Sequence, residues 1–479
     1  MENNIFNVNG YELDEEQIKA AASNTKYNMI IAGAGSGKTL TMIGKINYLL
    51  KIKHVNPEDI LCISFTNEAV NSLKKKINND LIKTFTFHKL GIYLLEQADV
   101  YYELATDNYL TSVIDNFFTQ NNLSSFLIKQ IKIVFKIIFF NPKKILLHKK
   151  YPEIKKIILS FINLYSAHDL KKEDLKNFIR QKQSALFFLI YAIITFYEAK
   201  KLENNYFDFD DLIKEATKIC KNLKLSFKEI IIDEFQDTSL LRLNFIREIV
   251  RITDANLTVV GDDFQSIYKF SGCDLNIFLN FQNYFPNTCI YKIQNTYRNS
   301  NELIKIAGDF VMKNKLQLQK DLKSTKHLSK PLQFVYYFNR YNGLLKALKK
   351  IKTGEILILG RNNFDIYKFI PKNKITWIKD GYFKLDNHDF HLRYLTVHKA
   401  KGLESDNVIL INLENGILGF PNKIKNHQIL GFIDKKENFL FEEERRLFYV
   451  ALTRTKNYCY LLVPYNNPSC FIKEIKKEV

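Results

Sequence analysis

The chain has 479 residues, is 46% hydrophobic and carries a formal charge of +19 with a pI near 9.3. That length buries large cores and more than one domain, and the basic balance favours a polyanionic partner. The six cysteines are scattered without a C-x-x-C pair, which argues against a zinc or iron–sulfur site and against a disulfide framework.

In chain order, Leu13 to Gln17 opens a helical pattern, and a glutamine there offers the two-sided amide that distinguishes adenine from other bases. Met29 to Ala32 is an apolar run of the kind a buried parallel strand uses. It breaks into Gly33-Ala34-Gly35-Ser36-Gly37, and a helical pattern starts near Lys38. Glycines lack a Cβ, so such a turn aims several backbone N–H groups into one concavity, and the helix adds its positive end. Lys38 then reaches the β/γ-phosphates and the Thr39 hydroxyl binds Mg²⁺. Ala32 stands where the strict phosphate-loop pattern has glycine, so an ordinary strand-to-helix turn competes as the reading of this stretch alone.

Ile60 to Phe65 is a second buried strand, tipped by Thr66 and Asn67 and followed by an amphipathic helix. Thr84 to His88 is a shorter, polar-tipped one. Ligands of open α/β sheets sit beyond the carboxyl ends of strands, making Phe65, Thr66, Asn67 and His88 candidates for a nucleic acid strand, with Phe85 and Phe87 read as core. From Gly91 to Asn205 helical periodicity and lysine-rich faces predict an inserted helical subdomain, with a basic patch at Lys143, Lys144, Lys149, Lys150, Lys155 and Lys156. Within it, Ala185 to Tyr197 falls short of the roughly 20 residues that span a bilayer and reads as a buried helix. With no signal-peptide pattern at the N-terminus, the expectation is a soluble cytoplasmic protein without a membrane partner. Ile230 to Ile232 ends in Asp233, suited to Mg²⁺, and Glu234, suited to orient and polarise a water. Leu257 to Val260 leads into Gln265, a candidate γ-phosphate sensor, with Tyr268 and Phe270 placed to face a bound strand.

The blocks AGAGSGKT, SFTNEAV, DFDDLI, IIIDEFQDTS, VVGDDFQSIYKFSG, NTYRNS, LTVHKAKGLESDNVILI and EEERRLFYVALTRTK follow one another from Gln17 to about Pro464. In content and order the chain resembles the UvrD/Rep family of superfamily 1 DNA helicases, which tolerates alanine at the Ala32 position. ILGFPNKI and NNPSCFIKEI look closest to the helicase IV branch. The resemblance implies an α/β fold of two RecA-like parallel-sheet motor domains with an inserted helical subdomain, divided as 1–90 and 206–293 for the first motor, 91–205 for the insertion and 294–479 for the second motor. It implies ATP and Mg²⁺ as cofactors. Gln17 then reads adenine, the loop from Ala32 through Gly33, Ala34, Gly35, Ser36 and Gly37 to Lys38 and Thr39 holds phosphate and metal, and Tyr297 stacks on the base. Glu404 binds the ribose, Arg298 and Arg454 contact the γ-phosphate, and Phe65, Thr66, Tyr268, Phe270 and His398 line a single-strand channel. The arginines suit that role on physical grounds, being permanently charged forked donors. Both follow a second set of strand signals: Cys289–Ile293, Glu355–Leu359, Leu395–Val397, Val408–Asn412 and Cys459–Val463.

Two departures from the family stand out. Phe270 and Ser271 replace the usual Trp and Arg, and Arg361 reaches Leu395 through one short segment where many relatives insert a second helical subdomain. No nuclease domain is expected to follow. The leading expectation is an ATP-driven single-strand translocase and DNA helicase, moving 3′→5′ by resemblance alone, with single-stranded and duplex DNA as partners. The alternative is a partner-dependent, DNA-stimulated ATPase subunit of a repair, phage-replication or anti-phage defence assembly. A nucleic-acid-binding protein with an inactive ATP site conflicts with the complete catalytic set. RNA as substrate stays open, because phosphate and stacking contacts do not identify the sugar.

Overall fold

The apolar runs of the sequence become two separate sheets in the computed structural model, which describes residues 5–106, 108–385, 388–433 and 439–478. The first holds six parallel strands: β1 (Tyr27–Ala32), β2 (Ile60–Ser64), β3 (Lys83–Thr86), β4 (Glu229–Ile232), β5 (Asn256–Gly261) and β6 (Cys289–Ile293). Their order across the sheet is β6-β1-β5-β4-β2-β3. Ile230, Ile231 and Ile232 are completely buried, as a strand covered on both faces requires. Cys289–Ile293, grouped above with the second set of strands, instead pairs with β1 and closes the edge of the first sheet.

The second sheet has seven strands: β7 (Leu332–Tyr337), β8 (Ile356–Gly360), β9 (Ile375–Trp377), β10 (Tyr382–Leu385), β11 (His388–Thr396), β12 (Asn407–Leu410) and β13 (Cys459–Pro464). The order is β7-β13-β12-β8-β11-β10-β9, parallel as far as β11 and antiparallel in β9 and β10. The short span from Arg361 to Leu395 thus extends the sheet by a hairpin and contains no second helical subdomain among the described residues. The molecule is α/β, with two RecA-like lobes, one on each sheet.

Between β3 and β4 the chain leaves the first sheet to build a helical insert. Its helices are α3 (Tyr109–Thr119), α4 (Ser125–Phe135), α5 (Tyr151–Ala167), α6 (Lys172–Lys182) and α7 (Ala185–Asn204), numbered after α1 (Glu15–Ala21) and α2 (Lys38–Lys51) of the first lobe. The apolar run from Ala185 lies in α7, whose Leu189, Ile190 and Ile193 are fully buried in the insert core with Ile114, Phe118, Ile131 and Phe161. No helix among the described residues is long and apolar enough to cross a membrane. Ile429, Leu430 and Phe432 from the second lobe complete this core, with the Phe432 ring 4.9 Å from that of Phe187.

Candidate nucleotide site and nucleic-acid interface

The loop between β1 and α2 takes the form its glycines permit. Gly35 and Gly37 have φ of +72° and +77°, the left-handed region that side chains disfavour, and Gly37 starts α2. A Cβ on Gly37 would stand 2.5 Å from Gln17 Nε2, and one on Gly35 2.5 Å from Arg298 Cβ. Lys38, at the first turn of α2, has its ammonium buried 3.4 Å from Glu234 Oε1 and without a hydrogen-bond partner among the described residues. A buried cation with one ion-pair partner and no hydrogen bond among the described residues, at the mouth of a cradle that any Cβ would fill, fits a polyphosphate.

Gln17 is buried beneath this loop, where it completes the capping box of α1. Its Oε1 accepts from the Asp14 N–H at 2.9 Å and its Nε2 donates to the Ser36 carbonyl at 3.0 Å. One amide N–H and one lone pair are left over, enough for an adenine edge.

Asp233 and Glu234 follow β4 directly, with Glu234 in a left-handed conformation (φ +51°). Burial and the neighbouring Glu234 push the Asp233 carboxyl up. Burial works against charge on Glu234 too, yet Lys38 and Lys401 hold its carboxyl below the usual range, so Glu234 is the more readily ionised of the pair. Thr39 stands in the first turn of α2 and Asp233 directly after β4, a hydroxyl and a carboxyl of the kinds that hold a phosphate-borne Mg²⁺. Among the described residues no cluster of three or more His, Cys, Asp or Glu forms a metal cage, as suits an ion carried in by phosphates.

The segment after β6 lies across this loop. Thr296 Oγ1 donates to the Ala34 carbonyl at 2.7 Å, the Tyr297 N–H to the Gly35 carbonyl at 3.0 Å, and the Tyr297 hydroxyl to Asp14 at 2.7 Å. Arg298 Nε lies 2.8 Å from Glu404, so two of the residues expected to touch the nucleotide are paired to each other here. Arg454, just beyond α8 (Glu442–Leu452), is buried with its donors on the carbonyls of Val450 and Leu403 and on Gln265 Oε1 at 3.2 Å. Burial and the charge of Arg298 push its guanidinium down to about 9, still charged at neutral pH. Gln265 donates in turn to Asp262 at 2.6 Å and so joins the second-lobe arginine to the first sheet.

The expected strand contacts fall into two groups. On the first lobe Thr66 and Asn67 are exposed at the start of a helix that Thr66 caps, and Phe65 packs beside Phe87 under the guanidinium of Arg242. Phe87 itself is core and Phe85 stacks on Tyr93, as expected. Between the lobes, Phe270 is 64% exposed with His398 at 5.6 Å, and the Tyr268 hydroxyl donates to the His398 carbonyl at 3.1 Å. In the basic patch Lys155 is tied to Asp115 at 2.5 Å, so it is an internal strut and is withdrawn from the free patch.

Sequence reasoning missed three residues. Phe209 of the DFDDLI block is half exposed 5.1 Å from His88 and extends the first aromatic group. Lys401 joins Glu234, Asp237 and the Gln265 carbonyl. Lys320 is buried between Asp262 and Asp263. Phe209 and Lys401 both lie inside blocks already singled out, DFDDLI and LTVHKAKGLESDNVILI, whereas Lys320 carried no such signal. A cavity of about 560 Å³, lined by Tyr197, Lys201, Asp208 and Asp211, lies between insert and first lobe, away from the phosphate loop.

Two RecA-like lobes around a phosphate loop, with an acidic pair in one and an arginine from the other, define a two-lobed P-loop NTPase. Residues 13–286 match the UvrD/REP helicase N-terminal domain. The chain is 25% identical to DNA helicase IV of Escherichia coli (strain K12) over 98% of its own length and 71% of that relative's. It is 28% identical to the ATP-dependent DNA helicase Rep of Buchnera aphidicola subsp. Baizongia pistaciae over 76% and 54% of the two chains. For the ATP-dependent DNA helicase PcrA of Bacillus subtilis (strain 168) the figures are 29%, 61% and 38%. The chain belongs to the UvrD/REP family of ATP-dependent DNA helicases.

Proposed function

We propose that this chain is an ATP-driven translocase on single-stranded DNA that moves 3′→5′ and separates duplex ahead of it. The observation that carries the reading is the buried Lys38 ammonium, without a hydrogen bond among the described residues and ion-paired to Glu234, which Lys401 joins to the aromatic Tyr268. ATP with Mg²⁺ supplies the terminal phosphoryl group as electrophile. Lys38 and the loop N–H groups hold the phosphates, Thr39 and Asp233 hold the metal, and Gln17 and Tyr297 take the base. Glu234, kept ionised, orients the attacking water and accepts its proton. For Arg298 and Glu404 to reach γ-phosphate and ribose, their mutual ion pair must open, and Arg454 must turn from its carbonyl acceptors. Closing the lobes on nucleotide exchanges those internal contacts for phosphate, and the exchange moves the Tyr268–His398 group that faces the strand.

The test is ATP hydrolysis by the parent chain with and without single-stranded DNA. Stimulation supports the motor; equal rates with and without DNA contradict it. A second reading, a subunit whose unwinding depends on a protein partner, is favoured by the hairpin β9–β10 standing where many relatives have a second subdomain. Size-exclusion of the native complex distinguishes the two.

A further inference from the structure

Between α4 and α5 the helical insert turns large apolar side chains outward. Ile138, Phe139 and Leu147 are 79%, 85% and 84% exposed, and Ile133 is 54% exposed on the adjoining turn of α4. Such side chains seek burial, and a contiguous exposed set marks a surface that something covers. The loop that carries them is built. Lys136 ends α4 in a left-handed conformation, and the Asn141 carbonyl accepts from the Lys144 and Ile145 N–H groups at 3.1 Å. Ile145 is buried in the insert core.

The charge along this stretch of the chain is of one sign. From Asn116 to Pro152 there is no acidic residue, while Lys129, Lys132, Lys136, Lys143, Lys144, Lys149 and Lys150 fall in that span. Lys136, Lys143, Lys144 and Lys149 are exposed. A loop that exposes apolar side chains and lysines together, with no carboxylate in its span, fits a partner with an apolar face beside anionic groups, which is what the open end of a DNA duplex presents: a terminal base pair between two phosphate backbones.

Position selects duplex DNA over other anionic partners. The loop runs straight into α5, whose far end, Ala167, abuts Gly272 in the turn that carries Tyr268 and Phe270. A helix of 17 residues spans about 25 Å at 1.5 Å per residue, so the loop joins α5 about that far from the end that abuts the strand-contact turn.

We propose that the loop from Lys136 to Lys150 is the duplex-engaging element of this motor, with its lysines on the phosphates of both strands and Ile138, Phe139 and Leu147 against the terminal base pair at the fork. The proposal rests on the translocase reading, which supplies the DNA, and deepens it by assigning the site that meets the junction.

The test uses the full chain carrying Ile138→Asp with Phe139→Asp, and a second variant with Lys143→Glu, Lys144→Glu and Lys149→Glu. All five positions are exposed, so the fold is kept, and near-ultraviolet circular dichroism checks this. Nucleotide-free binding to a forked duplex and to single-stranded DNA separates this proposal from the motor reading, since it needs no ATP turnover. The expected result for the first variant is a loss of fork affinity of about fivefold or more, the low end of one lost base–aromatic contact, with single-strand affinity unchanged. The parent is also expected to raise the emission of 2-aminopurine placed at the junction, and the variant not to. Equal loss on both DNAs, or no loss on the fork, overturns the proposal. So does loss of binding to anionic phospholipid vesicles with fork binding intact, which assigns the loop to a membrane surface. A parent that binds both DNAs but shows no DNA-stimulated ATPase removes the motor reading and leaves the fork measurement standing.

Discussion

The ammonium of Lys401 lies 3.6 Å from Glu234 Oε2 and also pairs with Asp237. Lys401 belongs to the second lobe and both carboxylates to the first, so this contact spans the cleft. The same ammonium sits 5.1 Å from the centre of the Tyr268 ring, whose hydroxyl is bonded to His398 three residues before it. One cation therefore touches both the carboxylate proposed to polarise water and the aromatic group proposed to face the strand.

Lys401→Met is expected to abolish DNA stimulation of the ATPase and to cost about 3–5 kcal/mol of stability, because buried Asp237 loses its counter-charge. Burial already pushes the Asp237 carboxyl up to about 6, which makes it the vulnerable partner. Adding Asp237→Asn is expected to restore much of the stability without the stimulation. Urea melts and ATPase assays with and without DNA check both; full stimulation in Lys401→Met would sink the coupling.

Lys38→Ala is expected to eliminate ATP turnover, since the cradle then lacks the ammonium buried at its mouth. Glu234→Gln is expected to bind ATP and stall. Equilibrium binding of a fluorescent ATP analogue alongside phosphate release separates them, and parental turnover in Glu234→Gln would reassign the water-orienting group.

Removal of Arg298 is expected to lower the turnover number by about 10³ or more, the scale of an arginine finger, with little change in ATP affinity. Arg454 is a less clean target, because its guanidinium also ties Val450, Leu403 and Gln265 together. Arg454→Lys preserves the charge and loses the fork, so it reports the finger with less structural damage. Single-turnover hydrolysis is the measurement. Weakened ATP affinity with parental turnover would show ground-state binding only.

The parallel strands and the phosphate loop were legible because they are local: Ile230–Ile232 is apolar without interruption, and the glycines stand beside Lys38. β7 was missed because its half-exposed residues, Gln333, Phe334 and Tyr336, break the continuous apolar signal of a central strand. β9 and β10 are too short to show a period. The contacts of Lys401 and Lys320 were illegible for another reason. A lysine in sequence looks like surface, and only the fold brings Lys401 to Asp237 or Lys320 to Asp262. Arg298 and Glu404 were assigned to a ligand, and their pairing to each other follows from two opposite charges left facing one another.

Affinity for single-stranded DNA is expected to fall with salt at a log–log slope of about −0.7 per neutralised phosphate. Phe270→Ala is expected to slow translocation more than DNA-free ATP hydrolysis, since it deletes an exposed ring and leaves Gln265 held by Asp262. Stopped-flow arrival at a fluorophore-labelled strand end measures the first, phosphate release the second. Equal slowing of both would move Phe270 from the strand channel to the ATP site.

Acid is expected to unfold this protein partly through two imidazoles. Burial and Arg242 push His88 down to about 4, and burial with Arg361 and Lys401 does the same to His398. The unfolded chain protonates near 6.5, so between there and about 4 it binds more protons than the native state. The contribution is fully present above 6.5 and is lost as pH falls through that window. His88→Asn with His398→Asn is expected to flatten stability against pH there, as read from urea midpoints. Because both rings are neutral at pH 7, single-strand affinity is expected to stay level from pH 7 to 8.

The insert core that Ile429, Leu430 and Phe432 complete has a consequence for how this chain can be taken apart. Its five helices are encoded inside the first lobe, yet their last apolar neighbours arrive more than two hundred residues later, from the far side of the second. A fragment ending at Ile293 keeps every strand of the first sheet but leaves Phe178 and Phe187 facing water where the Phe432 ring belongs. The insert is a keystone, set by one lobe and locked by the other, and neither half is a finished piece without its counterpart.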